Sequence, residues 1–376
     1  GVALILKTLV MSNIVDAYGN VPYFDALKIA LQKDTLNYTT RYDDMKLIYA
    51  DMFALLEDAN AAFVKAEELK NSGEIPQTDF SALCDYMYEG NVEKWRRFGN
   101  SLYLRLLMRA AMKVEEDGGV MDMSGTEHPD FSIVNKIAEL YDCFNSGSGD
   151  YPLMRDRKDA AVVGFSKNNS ALYTPFYAVT SGNWNSVIAC ETLVKEMYNT
   201  KKGLADPRYY YYFTKPLGAP TQLFKSNLDA FLAKNVSAAG NSKVGRYPNG
   251  NSGQIGNLKN ADRYALMNYS ELLFIFAEAG QRGWLNISYP VVKKIYLEAV
   301  TESALEWNTT ESAGSEDMTK FIGILSDEIE ADNALEKILT QKWVSMFWVG
   351  IESWCDYRRT GYPVLKTNGE AADNNY

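Results

Sequence analysis

Histidine is nearly absent: the 376-residue chain has one, His128. Histidine-rich zinc sites, and any mechanism that needs two imidazoles, are thereby excluded. A Ser-His-Asp arrangement would have to use His128 within Gly125-Thr126-Glu127-His128-Pro129, a loop-like stretch where a solvated side chain is the simpler reading. Cysteine is also scarce. Cys84, Cys143, Cys190 and Cys355 form no C-x-x-C pair, so a metal knuckle or thioredoxin-type motif is unsupported. Scattered thiols in a long chain read as free core residues, not as a disulfide framework. Basic residues are outnumbered, 38 Lys and Arg against 48 Asp and Glu, for a net charge of −10. Such a chain is a poor binder of phosphate backbones, so no nucleic-acid partner is expected. No apolar run is long enough to span a bilayer; the opening Gly1–Leu6 stretch is cut by Lys7. That stretch lacks a basic leader and a small-residue cleavage site, so it does not read as a signal peptide. The natural chain is expected to begin upstream.

What is present is globular and aromatic. Hydrophobic residues are 47% and charged residues 23%, ordinary values for a folded chain with a large core. Aromatics reach 13%, mostly through 25 tyrosines, whose rings have an apolar face and a polar tip.

The dominant period is helical. Met45, Ile48, Met52, Leu55, Leu56, Ala59 and Phe63 form one apolar stripe, with Asp43 or Asp44 as cap and Gly73 near the end. Trp95, Phe98, Leu102 and Leu106 form a second, flanked by Arg96, Arg97, Arg105 and Arg109. Leu266 to Ala277, Val292 to Val300 and Leu335 to Phe347 supply three more. Shorter helices are predicted near 132–144, 187–200 and 222–234. Tyr209 to Thr214 is the best strand candidate. Residues 145–186 and 236–262 are rich in Gly, Pro and Asn, and are too long for simple connectors. Gly280, Val292, Tyr296 and Ala299 follow the small–small–aromatic–small order of a tetratricopeptide unit. The fold predicted is mainly α, with tetratricopeptide-like helical hairpins in a superhelix, long loop-rich insertions and little β. It is read as one domain over 1–376, with a helical scaffold at about 1–115 and 263–360 and insertions at about 145–186 and 236–262.

Six segments in order carry a family resemblance. They are Asp16-Ala17-Tyr18-Gly19-Asn20-Val21-Pro22-Tyr23; Arg41-Tyr42-Asp43-Asp44; Lys94 to Leu102 with Arg105 and Arg109; Asp206-Pro207-Arg208; Tyr269 to Phe274 with Ala277-Glu278-Ala279; and Gln341-Lys342-Trp343 with Gly350 to Pro363. Together they resemble the SusD/RagB family of bacterial surface nutrient-binding lipoproteins, especially its SusD-like branch. The lipid-modified cysteine of that family and most of its usual C-terminal tail are not in this sequence. The resemblance implies non-catalytic glycan binding on the extracellular face of the outer membrane. It also implies a lipid anchor and delivery to a SusC-like TonB-dependent transporter. On physical grounds the arginines, with Glu271 and Glu278, read as structural ion pairs.

Sugar rings stack their C–H patches on Tyr and Trp faces, and their hydroxyls bond to Asn, Asp and Gln. Rigid aromatics in loops are therefore the candidates. Asn183, Trp184 and Asn185, with Tyr173 and Tyr177, form the first group. Tyr209 and Tyr211 form the second, and Tyr247 the third. Asn20 and Tyr23 complete the set. Trp343, Trp348 and Trp354 read as core. No cofactor is expected. Calcium held by loop Asp and Asn oxygens is compatible with the composition, but no ligand set stands out. The alternatives are a helical glycoside hydrolase working with an Asp/Glu pair, a peptide-binding member of the same family, and a tetratricopeptide-type scaffold.

Overall fold

A computed structural model describes residues 1–26, 40–76, 85–115, 120–122, 130–164, 191–199, 204–212, 263–307 and 316–365. The architecture is mainly helical with little β, as expected. The chain groups into two compact units: Gly1–Asp159 with Gly283–Asn286, and Ala160–Arg282 with Ile287–Tyr376.

In the first unit, α1 (Val2–Tyr18) packs on α2 (Met45–Asn71) and α3 (Val92–Glu115), and α3 packs on α4 (Ile133–Ser146). The predicted stripe of α2 is the buried one: Ile48, Met52, Leu56, Ala59 and Phe63 face the core. The Asp44 side chain caps the helix by accepting from the Lys46 N–H, which satisfies a donor the helix leaves free. Phe98, Leu102 and Leu106 of α3 and Ile133, Ile137 and Leu140 of α4 complete that core. Two short strands, β1 (Val120–Asp122) and β2 (Asp130–Ser132), pair antiparallel.

Helix α1 inverts the usual pattern. Thr8, Ser12 and Asp16 are buried beside Ile5, Leu9 and Val15, while Leu6, Val10, Ile14 and Tyr18 are exposed.

In the second unit, β3 (Ala161–Gly164) pairs antiparallel with β6 (Arg263–Met267), with an irregular register between Ala161 and Val162. Helix α5 (Glu191–Met197), the small pair β4 (Tyr198–Asn199) and β5 (Leu204–Ala205), and α6 (Tyr209–Tyr212) lie between them in sequence. The hairpin of α7 (Tyr269–Gln281) and α8 (Tyr289–Trp307) follows, then α9 (Glu316–Glu328), α10 (Ala334–Ser345) and α11 (Gly350–Thr360). Helix α7 is buried almost throughout, from Tyr269 to Gly280.

The tetratricopeptide reading holds at its closest approach. A Cβ at Gly280 would stand 2.7 Å from Ile287 Cδ1 and 2.9 Å from Val292 Cγ2. Only glycine lets the two helices come that near, and Tyr296 and Ala299 fill the same interface, fully buried.

Three predicted elements are corrected. Leu266 belongs to strand β6, and helix α7 starts three residues later. Residues 209–212 form a helical turn, not a strand; the Arg208 carbonyl accepts from the Tyr212 N–H at 3.0 Å. Trp354 is 42% exposed, so it is not a core residue. The helix predicted near 222–234 and the 236–262 insertion lie outside the described residues. Cys143 and Cys355 are buried thiols.

Candidate functional site

Asp16 opens the first quoted motif, and its carboxylate is buried between Arg109, which donates a charge-assisted bond, and the Tyr49 hydroxyl. A buried charge must be paired, and this one is. The side chain anchors α1 to α2 and α3, so it is structural.

Gly19 then ends α1 with φ +73°, and the chain turns. The turn is stitched to residues 43–45. The Val21 carbonyl accepts from the Asp43 N–H at 2.9 Å. The Asp43 carboxylate accepts from the N–H groups of Tyr23 and Phe24 at 2.8 and 2.9 Å. Asn20 Oδ1 accepts from the Met45 N–H at 3.0 Å. The Tyr23 hydroxyl donates to Asp51, and Lys7 Nζ lies 4.9 Å from its ring centroid and 3.7 Å from Asp51 Oδ2. Burial and the Asp51 carboxylate push the Tyr23 phenol well above its ordinary range, so it stays a neutral donor. Asn20 and Tyr23 are thus committed to holding the turn.

The rings this framework presents are others. Tyr18 is 79% exposed, Tyr42 73% and Phe24 48%. Phe24 donates its N–H to the Asp43 carboxylate, and Tyr42 precedes Asp43 in the chain. An aromatic held outward on a hydrogen-bonded turn costs little entropy to fix when a ligand arrives. The sequence signal for these rings was their place beside Gly19, Pro22 and the capping acids.

Of the remaining candidates, Tyr173, Tyr177, Asn183, Trp184, Asn185 and Tyr247 lie outside the described residues. Tyr211 lies in α6. Tyr209 is fully buried in a cluster with Leu193, Val194, Met197, Tyr212, Trp307 and Val344, so its ring offers a ligand no face.

The Asp206-Pro207-Arg208 block explains that burial. Arg208 has no exposed surface, and its guanidinium meets Asp206 at 2.6 Å, Gln341 Oε1 at 2.5 Å and Ser303 Oγ at 3.0 Å. Desolvation would lower its basicity, but Asp206 outweighs it and the group stays charged. This fork ties the α6 turn to α8 and α10.

A second buried network serves the end of the chain. Glu278 of α7 accepts from Arg359 of α11 at 2.6 and 2.7 Å and from Arg282 at 2.9 Å. Asp356 accepts from Arg359 at 2.7 Å and from Lys342 at 2.9 Å. Burial raises both carboxyls, yet the cations overcome it and hold both below the usual carboxylate range. Arg358 instead stacks 4.5 Å over the exposed Trp354 ring.

Among the described residues, no group of three or more His, Cys, Asp or Glu side chains could hold a metal ion. Among those residues, no helix is long and apolar enough to cross a membrane.

Comparison with known proteins agrees with this framework. The family profile described as "Starch-binding associating with outer membrane", of the SusD-like group, matches residues 1–376. Among solved structures, a chitin-binding SusD homologue from Flavobacterium johnsoniae is 22% identical, with TM-score 0.69 over 97% of this chain and 69% of its own. A SusD homologue from Bacteroides fragilis is 21% identical, with TM-score 0.71 over 97% of this chain and 72% of its own. Another, from Bacteroides uniformis, is 22% identical, with TM-score 0.69 over 97% and 68%. No curated protein matches the chain. A profile spanning every residue, on a helical fold shared with these homologues, places the chain in the SusD-like family.

Proposed function

We propose that this chain is a non-catalytic glycan-binding protein of the bacterial cell surface. The observation that carries the reading is the full-length match to a family described as starch-binding and associated with the outer membrane. One of its structural relatives is itself named as chitin-binding. The geometry supports this reading: Tyr18, Phe24 and Tyr42 project from a turn whose backbone donors are already satisfied. Flat rings so held suit the C–H faces of sugar residues. Trp184, Asn183, Asn185, Tyr173, Tyr177 and Tyr247 belong to the proposed ligand-facing set. Asn20 and Tyr23 support it from behind.

Delivery to a SusC-like TonB-dependent transporter, and anchoring through a lipid on the extracellular face of the outer membrane, are part of the same proposal and rest on the family. Isothermal titration against starch and chitin oligosaccharides, run beside a reducing-sugar assay, tests it. Saturable binding with no new reducing ends is the expected result. Release of reducing ends would favour a hydrolase with a carboxylate pair. Failure of every glycan, with a peptide bound instead, would move the ligand class.

A further inference from the structure

Exposed apolar residues are ordinary when scattered and informative when aligned. On α1 they are aligned. Ala3, Leu6, Val10, Ile14 and Ala17 are all exposed, on the side of the helix opposite the buried Ile5, Leu9, Ser12 and Val15. Leu6 is 41% exposed, Val10 55% and Ile14 37%. The helix has two charged residues, Lys7 and Asp16. Asp16 is held in the core by Arg109, and Lys7 lies at the edge of the strip, 3.7 Å from Asp51. The strip itself therefore carries no charge. Leu47 of α2, also exposed, stands one helical turn from Asp51 and widens the strip on its Lys7 side.

A strip without charge has nothing to offer a charged surface, and no ion to desolvate when it is covered by an apolar one. Its order reads the same from either end. Leu6 and Ile14 stand four residues either side of Val10, and Ala3 and Ala17 stand seven either side. Laid antiparallel on a copy of itself about Val10, the strip sets aliphatic against aliphatic and alanine against alanine. The alanines let the helix ends approach as closely as the middle. The residue level with Lys7 across such a pair is Asn13, so no like charges stand side by side. This is the self-complementarity that a two-fold contact requires.

We propose that α1 is a self-association surface, on which a second copy of this chain packs antiparallel about a two-fold axis at Val10. Leu6 then meets Ile14 of the partner subunit, and Ala3 meets Ala17 of the partner subunit. A 17-residue helix is only about 25 Å long, so the strip falls short of the roughly 800 Å² per partner of a tight complex. The dimer is accordingly weak and reversible. The proposal stands apart from the glycan reading, and either can fail with the other intact.

Sedimentation velocity of the full chain, from about 5 to about 300 µM, tests it. The wild type should pass from monomer to dimer over that range. Val10→Glu sets two carboxylates at the axis and should weaken dimerisation more than tenfold. Its melting temperature should stay within about 2 °C of the wild type, since the side chain is exposed. Cross-linking reads the register. Across the axis the two Cα atoms at position 10 stand about 4–6 Å apart, within disulfide reach. Val10→Cys with oxidised glutathione should therefore give a covalent dimer beyond the wild-type background. Leu6→Cys alone should not, because its two copies are offset by about 12 Å along the helices. Leu6→Cys mixed with Ile14→Cys should cross-link again. A wild type that stays monomeric at the highest concentration overturns the pairing and leaves the strip to another polypeptide. A folded Val10→Glu that still dimerises, or a Leu6→Cys that links to itself as readily as Val10→Cys, overturns it as well.

Discussion

Glu278 and Arg359 stand 81 residues apart in sequence and meet through two parallel bonds, at 2.6 and 2.7 Å, with no exposed surface on Glu278. This fork fixes the last described helix against the centre of its unit. Removing one partner strands a buried charge. Glu278→Gln should cost about 3–5 kcal/mol, read as a lower midpoint in urea with an unchanged slope. A loss below about 1 kcal/mol would mean that solvent reaches the pair.

The same network sets an acid limit. Glu278 and Asp356 both titrate lower in the fold than in the unfolded chain, where their ordinary values are 4.5 and 3.8. Their contribution is complete above those values and is lost as pH falls towards the depressed ones. Unfolding free energy should therefore be flat from about pH 7 to pH 5 and decline below about pH 4. In Glu278→Gln the decline should be shallower; an equal slope would place the acid sensitivity elsewhere.

Gly280 tests the helix crossing. Gly280→Ala would put a methyl 2.7 Å from Ile287 Cδ1 and should destabilise by about 1–3 kcal/mol, despite alanine's better helix propensity. Ile287→Ala in the same chain should recover part of the loss. A double-mutant cycle in chemical denaturation measures that coupling.

The turn at 19–24 separates support from contact. Tyr42→Ala should leave the melting temperature within about 2 °C, since the ring is exposed, while weakening glycan binding several-fold. Asp43→Ala should do the opposite first. It frees the N–H groups of Tyr23 and Phe24 and should lower stability by about 1–2 kcal/mol. Equal effects of the two on binding and on stability would remove the distinction.

The helical scaffold was legible because burial enforces a period. The α2 stripe, the α3 stripe and the Gly280 crossing each follow from one face meeting a neighbour. Strand β6 was misread because Leu266 lies three residues before Tyr269 and so mimics a helical step. Four consecutive tyrosines at 209–212 carry no period at all, and the bonds that hold the neighbouring Arg208 to Ser303 and Gln341 join residues far apart in sequence. Trp354 was misassigned because an apolar residue on a helix names a face only once the packing partner is known. The turn at 19–24 was legible in kind and less so in detail. Aromatics beside Gly and Pro marked the turn, but Asn20 and Tyr23 are its fasteners, and Tyr18, Phe24 and Tyr42 are the rings turned outward.

Helix α1 has oil on both sides, so greasiness alone cannot say how far it is rolled about its own axis. Its polar inward residues must do that, with Asp16 locked to Arg109 and Tyr49 acting as the pin that sets the azimuth. Pulling that one pin would leave a rod with two nearly equivalent ways to lie down.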